Sequence, residues 1–123
     1  MVLIDTSVWI RSLVGQEPFR GEVDRLLARK EAVGHVLVFG ELLMGDRGGR
    51  KDFLDRYELL PHAGLLPHRD VVAFVRRHHL HGLGVGWIDV HLLASAAAGR
   101  FQLWTADSRF AATAADLGVA YAA

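Results

Sequence analysis

The sequence contains no cysteine, which excludes disulfides, thiolate nucleophiles and cysteine zinc sites together. Lysine is almost as scarce: of 14 basic residues, 12 are arginine and only Lys30 and Lys51 are lysine. Fourteen acidic residues balance them, so the formal net charge is zero. Global charge therefore predicts no polyanion partner, and any nucleic acid would have to be held by a local arginine patch. No apolar run reaches the length of a membrane span, and the opening Met1 to Ile4 has no basic leader region. Together with the missing cysteines, this sets the expectation of a soluble, cytoplasmic protein without a membrane partner.

What is present suits a packed core. The 123 residues are 51% hydrophobic and 23% charged. A chain of this length buries roughly two-thirds of its unfolded surface on folding. No linker, repeat or low-complexity segment divides it, so a single domain over residues 1–123 is expected.

Periodicity alternates between short apolar runs and helical patterns. Val2-Leu3-Ile4 reads as a strand buried on both faces and ends at Asp5. Thr6-Ser7 opens a helix carrying Val8, Trp9, Ile10 and Leu13. Gly15 to Pro18 is a turn, and Val23, Leu26 and Leu27 mark a second helix ending near Arg29-Lys30. Valine-rich Ala32 to Val38 reads as a second strand, followed by helix over Phe39 to Met44. Further helices are expected from about Arg50 to Tyr57, over Asp70 to Leu80 and over Ile88 to Ala98. Between the first two, Leu59 to Pro67 holds at most a short strand. Phe101 to Thr105 reads as a third strand, Ser108 to Leu117 as a helix and Gly118 to Tyr121 as a last strand. Repeated βα units imply a three-layer α/β/α sandwich around a mostly parallel sheet, with functional groups gathered beyond the strands' carboxyl ends.

Four acids stand at break points of this pattern: Asp5, Glu41, Asp89 and Asp107. Asp5 and Asp107 each follow a strand and have an ordinary alternative role as helix N-caps. Asp89 lies in a first helical turn, where a carboxylate favours the positive dipole end. Glu41 is harder to explain that way, because Leu37, Val38, Met44 and Gly45 surround it at helical spacing and make its face apolar; Asp89 repeats the pattern with Leu92 and Leu93, so both acids are expected to point inward. Four carboxylates sharing one pocket would repel one another unless a cation lay between them. All-oxygen ligation selects hard divalent ions such as magnesium or manganese, and the chemistry such ions serve is phosphodiester hydrolysis.

The motifs around these acids, LIDTSVWI (Leu3 to Ile10), FGELLMG (Phe39 to Gly45), GWIDVHLLASA (Gly86 to Ala96) and LWTADSRF (Leu103 to Phe110), resemble the PIN domain. Within that family, they resemble the VapC-type toxins of toxin–antitoxin pairs. By position, the resemblance implies that Asp5, Glu41, Asp89 and Asp107 are the catalytic metal ligands. Thr6, Ser7 and Thr105 would be hydroxyls orienting them or a bound water, though caps and turns explain these three residues equally well. It also implies magnesium- or manganese-dependent cleavage of structured RNA, commonly transfer or ribosomal RNA, together with a homodimer and a VapB-type antitoxin placing a basic side chain in the acidic pocket.

Other residues carry weaker signals. His78, His79 and His81 could bind zinc, but a solvated helix end accounts for them more cheaply. Arg47/Arg50 and Arg76/Arg77 could hold phosphates or simply face solvent. Trp104, inside a strand, reads as core, whereas Trp87, beside Asp89, is the tryptophan best placed to meet RNA or a partner. A receiver domain would require a late lysine and a dehalogenase-type phosphatase a second aspartate at position 7; the chain has neither. The remaining alternative is a catalytically silent module whose acidic pocket only receives a basic partner segment.

Overall fold

The computed structural model describes residues 1–123. In chain order the elements are β1 (Val2–Ile4), α1 (Thr6–Leu13), α2 (Phe19–Ala28), β2 (Ala32–Val33), α3 (Val36–Met44), α4 (Lys51–Glu58), α5 (His68–Arg77), α6 (Trp87–Gly99), β3 (Gln102–Trp104) and α7 (Ser108–Asp116). The strands form a three-stranded sheet in the order β2-β1-β3, flanked by the seven helices. Both pairings are parallel, with Leu3 opposite Val33 on one side and Ile4 opposite Trp104 on the other.

β1 is central and its three residues are buried. That explains its unbroken apolar run, because a strand covered on both faces has no solvent side to make polar. Leu3 and Ile4 are fully buried, and each such side chain contributes about 1.5–3 kcal/mol. Leu92 and Leu93 of α6 are equally inaccessible, and the buried run continues through Ala94, Ser95 and Ala96, whose small side chains permit close packing. Trp104 stacks on Phe19 at 6.0 Å and belongs to the core, as its place in a strand indicated.

The structure corrects two strands. The expected strand over Ala32 to Val38 stops at Val33, and α3 begins at Val36. His35 is the reason: in extended conformation, it accepts the Leu37 N–H on Nδ1 at 3.1 Å and caps the helix. A fixed cap and tertiary packing outweigh the β-preference of the valines. The expected last strand contracts to one bridge between Leu103 and Ala120. The short strand allowed in the Leu59 to Pro67 connector is likewise a single bridge, Gly34 to His62. The fifth helix ends at Arg77, and Leu80 is brought into the core by the turn that follows. No helix is long and apolar enough to cross a membrane.

Candidate active site

Parallel pairing of β1 with β3 places their carboxyl ends side by side. Because Ile4 is opposite Trp104, the next residues, Asp5 and Thr105, leave the sheet together, and the Asp5 N–H donates to the Trp104 carbonyl at 2.9 Å. Asp5 stands at the N-cap position of α1 but makes no capping hydrogen bond. Its buried carboxylate instead accepts from Ser7 Oγ at 2.7 Å and Thr105 Oγ1 at 2.8 Å, both on Oδ2. The two hydroxyls are fixed in turn, Ser7 Oγ by the Ala106 N–H at 3.0 Å and Thr105 Oγ1 by the Asp107 N–H at 3.1 Å. Thr6 serves a different acid, donating to Glu41 Oε1 at 2.6 Å.

Glu41 is exposed rather than directed inward. The expectation failed because α3 is apolar around most of its circumference: Val36, Leu43 and Met44 also face solvent, and only Val38 and Leu42 are buried. Apolar neighbours on such a helix do not define an inner side. Asp89 is half-buried at the third position of α6, where its Oδ2 accepts the Gly86 N–H at 3.0 Å. Asp107 is exposed and caps α7 by accepting the Phe110 N–H on Oδ1 at 2.9 Å, so its capping role is real.

The four acids share an electrostatic field. Burial raises the proton affinity of Asp89 above the usual carboxylate range; the Gly86 N–H opposes this, and the charges of Asp5, Asp107 and Glu41 add to it. A carboxylate whose affinity is raised by folding is destabilising once ionised, so the loss of stability grows as pH rises through its folded value. Asp89→Asn should therefore raise the melting temperature of metal-free protein at neutral pH, since an amide oxygen can still accept the Gly86 N–H. A fall in melting temperature by calorimetry would contradict the crowding.

Each acid commits one oxygen to the protein: Asp5 Oδ2, Glu41 Oε1, Asp89 Oδ2 and Asp107 Oδ1. Each therefore has a second oxygen uncommitted and an orientation already set. No three histidine or acidic side chains stand close enough together to hold a metal ion, so the four acids are linked by their electrostatic field and not by a preformed cluster. An open set of oriented, all-oxygen donors fits a magnesium-type ion, which holds a few carboxylates and retains waters. The His78, His79 and His81 side chains are exposed, and His78 packs on Phe74 at 4.6 Å. Arg47, Arg76 and Arg77 face solvent, whereas Arg50 is partly buried and reaches the Leu13 carbonyl at 3.4 Å.

Sequence reasoning missed two residues. His35 supports α3, the helix that carries Glu41, and histidine is not among the usual capping residues that would have flagged it. Arg109 lies against Gly84 in the loop before α6: a Cβ at Gly84 would stand 2.8 Å from Arg109 Nη1. Its position two residues after Asp107 was the available signal.

With this geometry in view, the match to known proteins is extensive. The PIN domain family model matches residues 2–116, and the chain belongs to the PIN domain family. Ribonuclease VapC32 of Mycobacterium tuberculosis, in strains CDC 1551 / Oshkosh and ATCC 25618 / H37Rv, is 39% identical over 123 residues, covering 99% of this chain and 97% of the relative. The crystal structure of FitAcB from Neisseria gonorrhoeae shares the fold, with a TM-score of 0.64 at 20% identity over 98% of this chain and 95% of that one.

Proposed function

We propose that the chain is a VapC-type ribonuclease toxin that hydrolyses phosphodiester bonds in structured RNA, transfer or ribosomal, using magnesium or manganese. The carrying observation is the pattern of four carboxylates, each oriented through one oxygen with the other left for an ion. Near full-length similarity to a ribonuclease supports the same reading.

Asp5, Asp89, Asp107 and Glu41 would hold the ion. When bound, it would supply an activated water and charge stabilisation at the phosphoryl group. Ser7 and Thr105 keep the Asp5 carboxylate in one orientation through two hydroxyl hydrogen bonds. Thr6 fixes Glu41, a long side chain that would otherwise lose rotamer freedom on engaging an ion. The Gly86 N–H does the same for Asp89.

The partner implied is a VapB-type antitoxin. A groove of about 220 Å³ between α1 and α3 is lined by Ile10, Leu13, Val14 and Leu42 and includes Glu41. Ile10 and Val14 are 52% and 70% exposed, an apolar surface that a partner would cover. A basic side chain of that partner reaching Glu41 would neutralise the site. A homodimer acting in the cytoplasm completes the proposal.

The deciding experiment incubates antitoxin-free protein with total cellular RNA in magnesium, manganese or chelator. Discrete fragments that vanish with chelator are expected. Chelator-resistant cleavage would overturn the mechanism, and absence of both cleavage and manganese binding would favour the silent interaction module. Cleavage should also weaken in mild acid, because Asp89 takes up its proton at a higher pH than an ordinary carboxylate and releases metal as it does so. A rate that holds constant well into the acid range would contradict that role.

A further inference from the structure

We propose that Trp87 is a stacking platform for an unpaired RNA base beside the scissile phosphate, its indole braced by His68 and His91 next to Asp89. The inference rests on the nuclease reading above and names how that site receives its substrate.

Of the three tryptophans, Trp9 and Trp104 are 2% and 5% exposed, whereas Trp87 is 46% exposed. Its exposed indole offers an apolar face with a polar edge, the combination that suits tryptophan to binding surfaces. The ring is nevertheless held in place. His91, one helical turn further along α6, meets it at 5.0 Å with planes nearly perpendicular at 88°, and His68 at the start of α5 meets it at 5.4 Å and 52°. Neither imidazole lies parallel to the indole, so no protein ring takes the stacked position. His91 is itself buried, and its Nδ1 has no hydrogen-bond partner, so packing against the indole rather than a polar contact accounts for its placement.

The surroundings favour a nucleotide over a protein side chain. Trp87 is the first residue of α6 and Asp89 the third; their side chains leave the helix in different directions, but the Asp89 carboxylate turns back to accept the Gly86 N–H at 3.0 Å and so stands beside the backbone that enters Trp87. The loop leading into Trp87 turns at Gly84, whose φ of +77° disfavours any side chain, and the end of the Arg109 side chain lies against it. Arg109 is exposed and takes part in none of the ion pairs, which makes its guanidinium available to a flanking phosphate. A rigid aromatic ring, a free guanidinium and an acid that would hold a metal ion together match a base, its phosphate and the bond to be cut.

The test uses full-length protein carrying Asp5→Asn, so that RNA stays intact, in magnesium. Binding of a labelled eight-nucleotide oligouridylate, and of the same strand paired with its complement, is read by fluorescence anisotropy. Trp87→Ala should weaken binding of the unpaired strand roughly tenfold, the usual scale for one lost base–aromatic stack, while Trp87→Phe stays within about threefold. The paired strand should be indifferent to both. Binding of the unpaired oligouridylate should also quench tryptophan emission in the parent protein. In the cleaving protein, Trp87→Ala should raise KM with little change in kcat.

Unchanged affinity in Trp87→Ala, or an equal loss for the paired strand, would overturn the platform. So would a variant that binds RNA normally but no longer binds the antitoxin, which would make the indole a protein contact. If Asp5→Asn abolishes cleavage while Trp87→Ala is silent, only the platform fails; if wild-type protein neither binds nor cuts RNA, the nuclease reading fails with it.

Discussion

Asp5→Asn should reduce RNA cleavage by more than about 100-fold, beyond the 10- to 100-fold typical of losing a group that merely supports a metal ligand. Asp5 is the most buried of the four acids and is held by two hydroxyl donors, so it is the most rigidly placed of them. Asparagine is nearly isosteric, and its amide oxygen can accept from Ser7 and Thr105 as Oδ2 does. What it removes is the negative charge and one of the carboxylate oxygens. The fold should survive, with a melting temperature equal to or above that of the parent in metal-free buffer, because one of several neighbouring carboxylates no longer repels the rest. Paired measurements of cleavage and thermal unfolding check this. A folded Asp5→Asn protein that cuts RNA at the parental rate would remove Asp5 from the site.

The second large effect is on stability. Between pH 6.5 and 4 the protein should lose about 3 kcal/mol of unfolding free energy through His35 alone. This imidazole is completely buried. Nδ1 accepts the Leu37 N–H, and Nε2 lies 3.0 Å from Ser95 Oγ. Ser95 gives its own proton to the Gly64 carbonyl at 2.7 Å, so Nε2 is the donor to Ser95 and the ring is the neutral Nε2–H tautomer. Protonation of Nδ1 would destroy the α3 cap. Burial, reinforced by the charges of His91 and His62, lowers its proton affinity from 6.5 to about 4.

The unfolded chain therefore binds a proton in this interval that the folded protein refuses. The contribution is complete above 6.5 and lost as pH falls toward 4. The interval from 6.5 to about 4, at about 1.36 kcal/mol per pH unit, gives the figure of about 3 kcal/mol. Urea unfolding of wild type and His35→Asn across that range measures it. Asparagine retains a capping acceptor and cannot titrate, so the variant should be less stable at pH 7 but show a flatter profile. Glu22, held near 2 by hydrogen bonds from Arg25 and Tyr121, loses its stabilising effect only below its ordinary value of 4.5 and does so in both proteins. Parallel profiles for the two proteins would exonerate His35.

Much of this protein was legible along the chain because the signals are local. An apolar triplet ending in an acid marks a buried strand and its carboxyl end whatever surrounds it, and the same holds for Leu103-Trp104 leading to Asp107. Those placements, together with motif order, were enough to expect a parallel α/β fold and four candidate acids. Tertiary structure decided how those acids are held. Asp5 forgoes its expected cap for Thr105, 100 residues away, and Thr6 finds Glu41 35 residues away. Neither partner can be inferred from spacing, because each contact exists only after β1 has paired with β3 and α1 lies against α3. The outward direction of Glu41 and the early start of α3 have the same origin. An all-apolar helix has no intrinsic inside, and a valine run has no intrinsic helix, until the buried His35, Tyr57 and Ser95 fix where the chain must turn.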